Sequence, residues 1–126
     1  MKTLAAILLS AVCAGCATVT VSHDRRGIKV EGGETPIETV MVENTGWILF
    51  NAIPIASGNP NKPGKCSCCI FKDTTTLQNN LDMLEREMIR AGATRIANLY
   101  SKTSDENIFF LLFTRTACRT SAVLLK

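Results

Sequence analysis

The residues of this chain whose types could do chemistry are six cysteines and one histidine. Cys66, Cys68 and Cys69 sit close together, Cys118 stands near the C-terminus, and Cys13 and Cys16 close an apolar N-terminal segment. A thiol can cross-link, bind a soft metal, attack as a nucleophile or carry a lipid, and its spacing and compartment decide among these. The lone His23 excludes any site that needs two imidazoles from this chain. The chain has no Gly-x-Ser-x-Gly, no His-Glu-x-x-His and no phosphate-binding glycine loop.

The N-terminal pair defines an address. Lys2 supplies a positive charge, residues 4–12 are apolar except for Ser10, and Ala14 and Gly15 are small residues before Cys16. This is the layout of a secretory signal, too short to span a bilayer as a stable helix. Cys13-Ala14-Gly15-Cys16 resembles the bacterial lipobox, usually Leu-Ala-Gly-Cys, with Cys13 departing from the leucine. The resemblance implies cleavage before Cys16, a diacylglycerol on the Cys16 thiol and an acyl chain on its nitrogen. Several chains make attachment stable where one is marginal. Ala17 follows, where an aspartate would signal retention at the inner membrane, so the expected place is the inner leaflet of the outer membrane, facing the periplasm. Removing residues 1–15 leaves 111 residues and takes away Lys2, lowering the formal charge from +3 to +2.

Four cysteines then remain in an oxidising compartment, and disulfides are the expectation. Cys66–Cys68 with Cys69–Cys118 is one pairing and Cys66–Cys69 with Cys68–Cys118 another. The third needs a strained bridge between adjacent residues. A long bridge from the cluster to Cys118 would stabilise by about 4 kcal/mol on chain-entropy grounds. The competing readings are a thiolate site for Zn²⁺ or Cu⁺ and a redox Cys-x-x-Cys at Cys66 and Cys69. His23 is expected in solvent, Asp105-Glu106 in a polar turn, and Trp47 in packing.

The elements that must position these residues are read from periodicity. Residues 18–21 and 28–31 alternate around a turn at residues 24–27, which makes them a hairpin or a tether. Residues 37–43 read as a strand, Asn44-Thr45-Gly46 as a turn, and residues 47–56 as a second strand limited by Pro54. Residues 57–65, rich in Pro, Gly and Asn, read as a loop. Leu77, Leu81, Leu84 and Met88 form one face of a helix over residues 74–91, with Thr75 and Gln78 at capping-box spacing and Gly92 as its stop. Residues 94–100 read as a strand, 103–107 as a turn, 108–114 as a central strand and 117–125 as the last strand.

Strands, one helix, then strands predict an α+β domain: an antiparallel sheet with one amphipathic helix packed on one face. The expected organisation is a signal peptide over residues 1–15, a lipidated N-terminus with tether or hairpin over 16–34, and one domain over 35–126. A charge of +3 without a basic cluster gives no case for nucleic acid.

Residues 42–55 resemble an Asn-x-Gly-Trp-x-Leu-Phe-x-x-Ile-Pro motif of small bacterial lipoproteins of unknown function. Residues 91–98, with Gly92-Ala93 and Ile96, are similar to the stretch after the helix in those proteins, as are residues 110–115 and 120–122. The helix and Gly-Ala strand also resemble, more distantly, the fold of RcsF-type envelope-stress lipoproteins and YbjQ-like proteins. These resemblances imply a sheet covered by a helix and carry over no catalytic residue and no disulfide pairing. The expected function is that of a membrane-anchored, periplasm-facing lipoprotein, not an enzyme, with an interaction or envelope-maintenance role. Its partners would be the bacterial membrane and an envelope protein. A thiol-based metal-binding lipoprotein and an envelope-stress sensor acting through a partner are the alternatives.

Overall fold

The computed structural model describes residues 16–23, 32–65, 68–109 and 112–126. The elements in chain order are β1 (Ala17–Ser22), β2 (Pro36–Leu49), β3 (Ile53–Gly58), β4 (Cys68–Ile70), α1 (Leu77–Ala91), β5 (Arg95–Phe109) and β6 (Phe113–Leu125). All strand pairs are antiparallel, in the order β4-β3-β2-β6-β5. Among the described residues the fold is α+β, a six-stranded sheet with one helix packed on it, as the order of elements predicts.

Alternation sets the two faces. Glu38, Val40, Val42 and Asn44 of β2 point to the helix side, and Thr114, Thr116, Cys118, Thr120, Ala122 and Leu124 of β6 match them across the ladder. Ala17, Val40, Val42, Met83, Leu84, Ala122 and Leu124 form the core, edged by Val19, Val21, Met88 and Ile96. The odd residues of β2 and β6 face the other way, where the ion pair Glu43–Arg119 lies at 2.7 Å.

β1 and β3 share one edge of β2. β1 pairs with its first half, Ser22↔Thr39 to Ala17↔Asn44, and β3 with its second half, Gly46↔Ser57 to Leu49↔Ile53. The structure therefore places Ala17–Ser22 in the domain's own sheet rather than in a tether. Val19 and Val21 are the reason, since their side chains cover the core. The other arm of the expected hairpin, residues 28–31, lies outside the described residues.

Three expected boundaries are corrected. Asn44-Thr45-Gly46 is strand, not turn. Gly46 is needed for close approach, because a β-carbon there would lie 2.9 Å from Thr75 Cγ2 and 3.2 Å from Ser57 Cβ. The turn comes at Phe50-Asn51, inside the expected strand over 47–56. Both residues are left-handed (φ 52° and 53°), and the Ala52 N–H donates to the Leu49 carbonyl at 3.1 Å, a turn with the φ signs of type I′ within the three-residue loop between Leu49 and Ile53. Residues 103–107 are also strand. They lie in β5 opposite Cys118 to Thr114, and their polarity is that of an edge strand which the helix leaves uncovered.

The apolar run over 108–114 is not a central strand. Its described residues end β5 and start β6, while β2 and β6 occupy the middle of the sheet. Residues 110–111 lie outside the described residues.

The helix starts later than expected. Thr76 is its N-cap, accepting from the Asn79 N–H, and Gly92 closes it at φ 66°. Its buried residues are Asn80, Met83 and Leu84, whereas Leu77 is 48% exposed. The packed face is therefore rotated from the expected leucine stripe toward Asn80.

Candidate lipidation site and the thiols around it

Cys16 is built into the sheet. Its N–H donates to Thr45 Oγ1 at 2.9 Å, and the Thr45 N–H donates to the Cys16 carbonyl at 2.9 Å. The Thr45 hydroxyl lies 3.2 Å from the same carbonyl. Thr45 can do this because it continues β2 past the point where β1 begins. Gly58 ends β3 against the same place, so close that only a residue without a side chain fits.

The loop of residues 59–65 closes the site from the outer edge of β1. The Gly64 N–H donates to the Ala17 carbonyl at 2.8 Å. Arg86 of α1 holds the loop from the other side, donating from Nη1 to the Pro60 carbonyl at 2.8 Å and from Nη2 to Asn61 Oδ1 at 2.9 Å. The turn bonds Lys62 N–H to Asn59 O and Lys65 N–H to Lys62 O shape it internally. The loop expected from its proline content is thus tied to two elements, β1 and α1.

Behind Cys16 lies a buried polar network. Thr74 Oγ1 is 2.7 Å from Ser57 Oγ and 2.5 Å from the Gly58 carbonyl, and Asn44 Nδ2 donates to the Thr74 carbonyl. Asn80 Nδ2 donates to the Cys118 carbonyl at 2.8 Å and to Thr120 Oγ1 at 3.2 Å. These bonds fix the entry of α1 onto the sheet and satisfy the buried amide donors of Asn44 and Asn80, whose Oδ1 atoms stay without a partner among the described residues. No motif in the sequence marks them. Asn44, Ser57 and Thr74 meet, and Asn80 reaches β6, only once the sheet and helix are assembled, and Asn44 and Thr45 read as turn residues.

The remaining cysteines separate. Cys69 is half-buried on β4, opposite Ser57. Cys118 is fully buried on β6, opposite Asn44, with the Thr103 hydroxyl 3.7 Å from its Sγ. Cys16, Cys69 and Cys118 are all free. From β4 through β3 and β2 to β6 is three strand spacings, about 14 Å. A disulfide needs Cα atoms within about 7 Å. The expected long bridge to Cys118 therefore cannot run from Cys68 or Cys69. Cys66 lies outside the described residues. Among the described residues no three metal-ligating side chains converge.

The other candidates fall in plain settings. His23 is 78% exposed, with Nδ1 3.6 Å from Glu38 Oε2. Glu38 is buried and is covered by Arg90 at 3.0 Å. The hydrogen bond from Arg90 to Glu87 holds that guanidinium further above its ordinary value, so it stays charged. Asp105 and Glu106 lie exposed on β5, and Glu106 is 3.9 Å from Arg115. Trp47 is half-buried between Ala56 and Arg115 in the ladder. On the face away from α1, a shallow depression of about 290 Å³ is lined by Tyr100, Lys102, Ser104, Ala117, Arg119 and Ser121. It has neither thiol nor carboxylate. Among the described residues no helix is long and apolar enough to cross a membrane.

Compared with protein-family models, curated proteins and solved structures, the chain matches none of them.

Proposed function

We propose that this chain is an acyl-anchored domain of the bacterial envelope, facing the periplasm, with a non-catalytic interaction or maintenance role. One observation carries the reading. The cysteine that the lipobox-like sequence marks for acylation is the residue whose amide and carbonyl bind Thr45 at the start of β1. Acylating the new α-amino group turns it into an amide, which keeps one N–H to donate to Thr45 Oγ1. Alkylating the thiol leaves the carbonyl bond untouched. Cleavage and lipidation at Cys16 are therefore compatible with each of these contacts.

The test is the intact mass of the protein extracted from membranes. The expected mass is that of residues 16–126 plus a diacylglycerol and an acyl chain. Cys16→Ser should move the protein from the membrane to the soluble fraction, and membrane retention of that variant would sink the reading. Metal analysis of the same sample tests the thiol-based metal-binding alternative.

A further inference from the structure

Cys16 leaves no slack between an anchor and the fold. Its own backbone is bonded into the sheet, so the surface beside it must lie wherever its lipid lies. Gly64 is bonded to Ala17, which puts Lys65 next to the anchor and Lys62 on the same loop. On the other flank, β4 lies one strand spacing from the end of β3, where Gly58 abuts Cys16. Strand geometry puts Phe71, just past β4, about 11 Å from Cys16.

Ile70 is 59% exposed and Phe71 is 76% exposed. Phe71 also holds a left-handed backbone (φ 54°), which costs a residue with a side chain and favours glycine or asparagine. A phenylalanine that is both solvent-exposed and locally disfavoured contributes little to the fold itself, which leaves its ring free for contact with a lipid surface. Lys72 follows it, exposed. Arg90, Arg95, Arg115 and Arg119 all pair with carboxylates, whereas Lys62, Lys65 and Lys72 pair with none among the described residues. An apolar pair with Lys72 beside it, and Lys62 and Lys65 on the other flank of Cys16, suits the boundary of an anionic bilayer, with the apolar side chains among the acyl chains and the ammonium groups at phosphates.

We infer that Ile70 and Phe71, with Lys62, Lys65 and Lys72, form a bilayer-docking surface that holds the domain flush against anionic phospholipid. This rests on lipidation at Cys16. The anchor supplies attachment, and the surface supplies orientation.

The experiment uses the full chain, produced with its signal, extracted acylated and reconstituted in vesicles of phosphatidylethanolamine and phosphatidylglycerol that carry brominated lipid. Phe71→Trp and Tyr100→Trp are compared, each against the parent protein. Tyr100 is 64% exposed on β5, at the opposite edge of the sheet. The expected result is that bromolipid quenches the tryptophan at position 71 several-fold more than the one at position 100. Reversing Lys62, Lys65 and Lys72 to glutamate should reduce the quenching at 71. All three are exposed, so the variant keeps its fold. Equal quenching at the two positions, or quenching at 71 that survives the charge reversal unchanged, overturns the inference. The intact mass of the same sample reports acylation separately. An acylated protein without selective quenching refutes the docking surface alone, and an unacylated one refutes the anchor.

Discussion

Gly58 and Ala17 meet end to end along one edge of β2. A β-carbon on Gly58 would overlap the Ala17 amide nitrogen and the Cys16 carbonyl carbon, and would lie 2.5 Å from Asn44 Oδ1. Two of these are backbone atoms held by the β1–β2 ladder, and the third belongs to a fully buried side chain. None can yield cheaply. Gly58→Ala should destabilise the fold by about 3 kcal/mol, as overpacking against backbone does. Urea unfolding is the measurement, with a lower midpoint and an unchanged slope as the expected outcome. A midpoint equal to that of the parent would mean that β1 does not abut β3.

The same contact shows what the sequence could and could not disclose. Alternating β-branched residues in residues 18–21 made a strand legible, but its partner was not. Local turn residues at 24–27 favoured a hairpin, while the pairing that forms, with β2, is decided by where Val19 and Val21 can reach the core. The helix was legible because Gly92 and the apolar period are local signals. Its buried face was misjudged because Asn80, a polar residue, is held inward by the Cys118 carbonyl across 38 positions of chain. Residues 103–107 carry turn chemistry in every side chain, and only their ladder with β6 makes them strand. At the candidate site, Cys16 was legible as a motif. Thr45 and Gly58, which seat it, have no pattern of their own and come together only through the sheet.

Arg86 couples α1 to the loop of residues 59–65 through the Pro60 carbonyl and Asn61 Oδ1. Arg86→Ala removes both bonds while leaving the core intact, so the global cost should be small, about 1 kcal/mol. The loop should respond much more than the fold. Amide exchange at Gly64, whose N–H is bonded to the Ala17 carbonyl, should accelerate, while amides of β2 and β6 keep their protection. Unchanged exchange at Gly64 would mean that the turn bonds inside the loop suffice to hold it.

Phe50 tests whether exposed aromatic residues are placed at a cost. It is 61% exposed at the first position of a type I′ turn, where asparagine or glycine is favoured. Phe50→Asn should stabilise the hairpin by about 1 kcal/mol, since it relieves a left-handed conformation and forfeits little burial. Asn51, the second turn residue, must be left in place, because its side chain contacts the Thr114 hydroxyl and joins the hairpin to β6. Thermal unfolding would decide it, and a lower melting temperature for Phe50→Asn would mean that the ring packs in solution.

Cys118 discriminates between a cross-linked and a free-thiol account of stability. The bridge expected from sequence would have joined the Cys66–Cys69 region to β6 and added about 4 kcal/mol. In the sheet, Cys118 is fully buried opposite Asn44, and β3 and β2 stand between it and β4. Two outcomes follow for the oxidised protein. Peptide mapping should find no link from Cys118 to Cys68 or Cys69. A thiol reagent should modify half-buried Cys69 in the native state and reach Cys118 only at the rate of global unfolding, because no local opening exposes a central strand. Denaturant should speed the second reaction with the slope of full unfolding. A Cys118 that reacts as fast as Cys69, or that maps into a bridge with β4, would require β6 to leave its place between β2 and β5.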